Sequence, residues 1–296
     1  MRRRPALALT AALIAVLALW AGAQENQPTT AAPGFAPGAD FLIGFATVDI
    51  TPDPAASPGQ LHGYGARENA SATGVLDPLY ARATVVRDRA GHVVGLVAVD
   101  LLMVTADVRD VAVSRLRALG FNDHNLLLTA THTHSGYANY DRRSLIEHYF
   151  GDYDRRRFEW TVTGVVRAVE QAYADLQPAR LHVAQTKLPG LNRNRREPAY
   201  DMDSGRWTDN APRPDAFPTD ETMTVLRVTD PAGAPRGALV HYTAHPTILS
   251  PANLSYSAEW PGVMCAALSK RHGSTMLLNG ADRKSTRLNS SHGKLS

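Results

Sequence analysis

Segments of helical periodicity stand among apolar runs too short to be helices, and this mixture limits the fold more than any other feature of the chain. Val108, Val111, Ala112, Leu116 and Leu119 share one face of a helix expected over Ala106–Leu119, which Gly120 ends. Trp160, Val165, Val169, Ala172 and Leu176 predict a second helix over Arg157–Leu176, all five facing inward, with Pro178 stopping it. A third is expected over Trp260–Arg271, where Pro261 suits the first turn. The runs Phe41–Ile50, Asn125–Thr131, Ala179–Lys187, Thr222–Thr229, Gly237–Thr243 and Thr275–Leu278 read as strands, that over Asn125–Thr131 as a buried one. Ala81–Arg87 and Val93–Leu102 flank a polar turn at Asp88–His92 and read as a hairpin. Helices and strands do not alternate strictly. The expectation is therefore an α/β fold, mixed β-sheets packed with helices in a single domain. Gln60–Gly65 is a Gly-flanked loop, and 188–220, rich in Pro, Asn, Arg and Asp, is a long irregular one of the kind that is functional or mobile.

The two ends are set apart from this domain. Arg2, Arg3 and Arg4 precede an apolar run over Ala6–Trp20, and Ala21-Gly22-Ala23 offers a small-x-small cleavage site. Residues 1–23 are read as a cleaved signal peptide, so a secreted or periplasmic protein is expected; an uncleaved anchor is the alternative, at the lower length limit for spanning a bilayer. Residues 24–40, rich in Pro, Ala, Gly and Thr, read as a disordered leader. At the other end, Asp282–His292 resembles the translated start of a common short-read sequencing adapter, so 282–296 is expected to be an artefact following a domain over 41–281 that is incomplete at its C-terminus. These ends decide the charge argument. The formal net charge is +3. Three positive charges belong to Arg2–Arg4, and Arg283, Lys284, Arg287 and Lys294 outweigh Asp282 by three more, so the segment between is net negative. Nothing points to nucleic acid or an anionic surface. The one cysteine, Cys265, excludes an internal disulfide, which leaves stability to the core or to a metal.

Chemistry concentrates in two histidine clusters. Thr129-Ala130-Thr131-His132-Thr133-His134-Ser135-Gly136 follows the apolar run Leu126–Leu128. Residues two apart on a strand share a face, so His132 and His134 are expected to present two imidazoles to one point, as a metal held by neutral ring nitrogens requires. The neighbouring hydroxyls of Thr129, Thr131, Thr133 and Ser135 suit hydrogen bonding to ligands. Two surface histidines in a polar loop are the alternative. In His241-Tyr242-Thr243-Ala244-His245-Pro246-Thr247, Pro246 biases His245 to extended backbone at a second strand end. His241 reads as a strand histidine. Asp100, at the end of the Val93–Val99 run, is open to three roles: metal ligand, acceptor for a ligand, or loop cap. His62 reads as structural or substrate-facing.

Several blocks, in order, resemble the N-terminal catalytic domain of the neutral/alkaline non-lysosomal ceramidases and their bacterial relatives. They are Gly44–Pro52, Gly63-Tyr64, Leu79–Ala83, Val97–Leu101, Ala130–Gly136, Asn192-Arg193, Asp220–Leu226 and Ala244–Thr247. Ala130–Gly136 is the most specific, and the resemblance covers about residues 41–281. It implies a zinc-dependent amidase that cleaves an N-acyl lipid such as ceramide to sphingoid base and fatty acid. By matching position, His132 and His245 would bind Zn2+, His134 would assist proton transfer or stabilise the oxyanion, and Arg193 would lie in the substrate region. A Glu and a Tyr further along the family's chain complete its zinc shell, so the chain as it stands is expected to be inactive. A lipid-like substrate implies transient membrane-surface contact. Two departures matter. Pro246-Thr247-Ile248-Leu249 replaces the Gly-Thr-Ser-Met of eukaryotic-like members, and Ser257–Gly262 carries Glu259 where the bacterial relatives have Asp. The zinc-hydrolase class is therefore a firmer expectation than ceramide as substrate. A zinc esterase or amidase for a non-sphingolipid, and a non-catalytic exported metal-binding domain, stay open as alternatives.

Overall fold

The computed structural model describes residues 39, 41–194, 200–201, 206–207, 220–280 and 285–286. The expected signal peptide, the leader apart from Ala39, most of the 188–220 loop, and the 282–296 tail apart from Ser285–Thr286 lie outside the described residues. Ser285–Thr286 forms a two-residue antiparallel ladder with Arg193–Asn194.

The strands are β1 (Phe41–Asp49), β2 (Tyr80–Arg87), β3 (Val93–Val99), β4 (Leu126–Ala130), β5 (Gln177–Lys187), β6 (Thr222–Thr229), β7 (Pro235–Tyr242) and β8 (Ser274–Asn279). The helices are α1 (Ala106–Leu116), α2 (Ser144–Phe150), α3 (Arg155–Ala174) and α4 (Glu259–His272). These eight form one sheet in the order β8-β7-β6-β5-β1-β2-β3-β4, and the two-residue strands among the described residues pair in small ladders outside it. Its middle is antiparallel, whereas β3–β4 and β7–β8 are parallel pairs, each joined through a helix, α1 and α4 respectively. The mixed α/β expectation matches this arrangement. The β2–β3 hairpin has the expected turn, with Asp88 N–H donating to His92 O.

Helix α3 crosses β1 and β2 and buries Phe158, Val162, Val165, Val169 and Ala172. The approach is close enough to demand glycine at Gly44, where a Cβ would stand 1.9 Å from Ala172 O. Trp160 is not inward as expected. It is 49% exposed, and its indole Nε1–H donates to Ile50 O at the end of β1, so its ring covers the helix flank while the polar edge is satisfied. The strand β4 is also less buried than expected, because it is the sheet edge and Leu127 is 55% exposed. Helix α2 was not expected from the sequence: its seven residues are shorter than the window in which a 3.6-residue period can be read.

The sheet curls until its two ends meet. Leu96 and Ala98 of β3 pack with Leu239 of β7 and Met276 of β8, and the Asn279 amide at the end of β8 donates to Thr131 O just past β4. This closure sets the site: the carboxyl ends of β4 and β7, at opposite ends of the strand order, arrive at the same place. Crevices at the carboxyl ends of parallel strands are where open α/β sheets bind ligands. No helix among the described residues is long and apolar enough to cross a membrane.

Candidate metal centre

The chain leaves β4 at Ala130 and turns at once. Thr131 N–H donates to Val99 O and His132 N–H to Leu101 O, so the segment stays tied to the end of β3. His132 then takes φ 69°, a left-handed conformation rare for a residue with a Cβ. Strand parity therefore does not bring His132 and His134 together as the sequence suggested, since the strand has ended. A locally strained turn, held by surrounding hydrogen bonds, does so instead.

His132, His134 and His245 converge. Their ring centroids are 5.2 Å apart for His132–His134 and 4.7 Å for each of the other pairs. Each ring offers one nitrogen, and these nitrogens lie within 4.8 Å of one another. Nitrogens bound tetrahedrally to one zinc at ~2.05 Å stand about 3.3 Å apart, so slight closure of the rings suffices. His134 and His245 are buried, while His132 is half-buried. The Nδ1 of His132 lies 2.6 Å from Leu102 O. A carbonyl can only accept, so Nδ1 carries the proton and Nε2 of the neutral ring keeps its lone pair. That backbone bond is the kind of partner that orients a ligating histidine. The donor set thus fits a borderline ion such as zinc.

Asp100 is fully buried but outside this cluster. Its Oδ2 accepts from Arg82 Nη1 at 2.5 Å and from Tyr80 N–H at 2.9 Å. Burial raises its carboxyl above the usual carboxylate range, with the Arg82 guanidinium pulling the other way. The pair closes the end of β3 immediately before Leu101 and Leu102, whose carbonyls hold His132. Arg193 lies in the two-residue ladder with Ser285–Thr286, next to Asn192, whose amide donates to Thr243 O two residues before His245. The Arg193 side chain is outside the described residues.

His62 is completely buried, and neither ring nitrogen has a hydrogen-bond partner among the described residues. It packs edge-on to Phe150 (4.5 Å) and Tyr140 (5.8 Å). Burial holds its pKa down to about 3, so the ring is neutral. His241 sits half-buried on β7, outside the cluster.

Two charged residues that sequence reasoning did not assign underlie the histidines. Arg67 is 6% exposed and Glu259 4%. Nothing in the sequence marked Arg67, since a lone arginine in a loop reads as a surface residue. Glu259 was visible only as a departure from the resembled pattern. An apolar cavity of about 700 Å3 adjoins the site, bordered by Val225, Val240, Ala244, Ile248, Trp260 and Met264 between α4 and the β6–β7 face.

A family model described as neutral/alkaline non-lysosomal ceramidase, N-terminal, matches residues 41–283. Among curated proteins, the chain is 30% identical over 228 residues to a neutral ceramidase of Pseudomonas aeruginosa, covering 75% of this chain and 32% of that one. It is 29% identical over 233 residues to neutral ceramidase A of Dictyostelium discoideum, covering 75% and 31%. Against a neutral ceramidase of Mycobacterium tuberculosis the figures are 30% over 229 residues, covering 74% and 34%. A solved structure, a ceramidase complexed with C2, superposes with a TM-score of 0.73 at 27% identity, over 84% of this chain and 39% of the other. That of a Pseudomonas aeruginosa neutral ceramidase also gives 0.73, at 26% identity, over 84% and 40%. The chain spans about a third of the length of the curated relatives it matches.

Proposed function

Since this chain belongs to the neutral/alkaline non-lysosomal ceramidase family, we propose that it supplies the metal-holding part of a zinc-dependent amidase that hydrolyses an N-acyl lipid of the ceramide type. The observation that carries the reading is the convergence of His132, His134 and His245 at the meeting point of two parallel-strand ends. His132 and His245 would hold the ion, with further oxygen ligands completing its shell. Zinc supplies a Lewis acid that polarises the scissile carbonyl and acidifies the attacking water. His134, buried beside both rings, would take or return a proton, or donate to the oxyanion as it forms. The proton-bearing Nδ1 of His132 stays on Leu102 O and keeps that ring aimed.

A long acyl chain needs a dry surface next to the cleaved bond. The apolar cavity at Ala244 and Ile248 adjoins the His245 loop and would offer one. Arg193 is proposed to face the polar head of the substrate, from its place beside Asn192. On the strength of Arg2–Ala23, the protein is proposed to act outside the cytoplasm, secreted or periplasmic.

The test is a substrate panel with matched acyl chains, N-acylsphingosine, N-acyl amino acid and a simple acyl ester, assayed on a chain extended to the length of its relatives. Release of fatty acid from N-acylsphingosine is expected to stop with a zinc chelator and return with added zinc. Turnover indifferent to chelation contradicts the metal reading. Hydrolysis of the ester alone moves the assignment to an esterase.

A further inference from the structure

We propose that Glu259, working with Arg67, is the positioning residue that fixes the distance between the two histidine loops. The inference rests on the metal reading above, and extends it to two residues outside the metal-binding set.

The first residue of α4, Glu259, is held at φ 53°, a conformation with a steric cost. Its carboxylate divides its two oxygens between the loops. Oε1 accepts from the His134 N–H at 3.3 Å, an amide shared with Pro246 O, and from the Ser135 hydroxyl at 3.5 Å. Oε2 accepts from the Ile248 N–H at 2.7 Å and the Leu249 N–H at 3.3 Å. One rigid planar group thus sets the spacing between the loop bearing His132 and His134 and the loop bearing His245.

Arg67 supplies the opposite polarity. Its Nη1 donates to His62 O and His134 O, and its Nε to Pro251 O at 3.3 Å. The guanidinium therefore collects carbonyls while the carboxylate collects amides, and His134 is gripped at both its N–H and its C=O. Glu259 is itself anchored. Ser257 Oγ accepts from its N–H at 2.9 Å, Asp77 accepts from the Ala258 N–H at 2.8 Å and from that same hydroxyl, and the Thr133 hydroxyl donates to Ser257 O at 2.8 Å. Charged groups buried this deep are costly unless their lone pairs and protons are used. Here the partners are the backbone of the two loops that the metal must bridge.

The chemistry dictates the outcome of substitution. In Glu259→Gln, an amide NH2 replaces one carboxylate oxygen and faces backbone N–H groups, donor against donor, so one loop is released. In Glu259→Asp, the charge is kept but the shorter side chain cannot reach both loops at once. Residues that orient metal ligands typically change metal affinity 10–100-fold when replaced.

The experiment has two readouts. Zinc affinity of wild type and both variants is measured by competition with a chromophoric chelator, and amide hydrogen exchange in the His134–Ser135 and Ile248–Leu249 segments is measured on metal-free protein. The expected result is a zinc Kd raised at least ~10-fold in Glu259→Gln and by a smaller factor in Glu259→Asp, with faster exchange in one or both segments. Should Glu259→Gln fail to fold, the aspartate variant carries the test. Zinc binding within twofold of wild type by a folded variant overturns the proposal, even if its melting temperature falls, since that is what a merely structural residue would show. If wild type itself does not bind zinc, the metal reading fails. Exchange then decides the clamp alone, which stands if the segments loosen and falls if they do not.

Discussion

In a chain extended to the length of its relatives, replacing His132 with alanine should lower kcat/KM for N-acylsphingosine hydrolysis by on the order of 10³-fold or more, with zinc content falling in parallel. Polarisation of the carbonyl and acidification of the water are worth several kcal/mol of transition-state stabilisation, at about 1.4 kcal/mol per tenfold in rate. The aim of the His132 ring depends on a left-handed turn and on Leu102 O. His245→Ala should behave alike. His134→Ala should differ: zinc is retained and kcat falls on the order of 10²-fold, the loss of a proton-transfer group. Steady-state kinetics with metal analysis on the same samples checks all three variants. Equal loss of zinc in all three would make His134 a ligand rather than a proton carrier.

The second large effect is one of stability. Asp100→Ala should destabilise the fold by about 3–5 kcal/mol, because it leaves the Arg82 guanidinium buried without its anion. Arg82→Ala should cost a similar amount by stranding Asp100, which is fully buried. Replacing both with leucine should recover most of the loss, since a buried pair is often no better than well-packed apolar groups. Urea unfolding of the four proteins supplies the comparison. A double variant as weak as the singles would mean that the pair contributes more than charge compensation.

Much of the fold was legible because it obeys short-range rules. The β2–β3 hairpin, the inward face of α3 at Val165, Val169 and Ala172, and the strand runs up to β8 all follow from periodicity and turn chemistry. What was not legible is long-range. The closing of β8 onto the end of β4, sealed by Asn279 and Thr131, leaves no mark in the local pattern, yet it brings His245 to His132. The two histidine motifs were each visible, but strand parity was the wrong reason for their convergence: the left-handed His132 does what an extended chain was expected to do. Trp160 was placed inward on hydrophobicity alone, although its indole N–H needs an acceptor and finds one at Ile50 O on the helix flank. Arg67 escaped notice, and Glu259 showed only as a departure from the resembled pattern, because deep burial of charge depends on partners that only the folded chain supplies.

X-ray absorption at the zinc edge, on protein loaded with one equivalent of zinc, tests the central claim most directly. The account expects a nitrogen and oxygen shell at ~2.0–2.2 Å, with the outer-ring scattering of at least two imidazoles, and loss of that imidazole signal in the His132→Ala, His245→Ala double variant. A spectrum unchanged in the double variant, or a sulfur-containing shell, would place the ion elsewhere and contradict it.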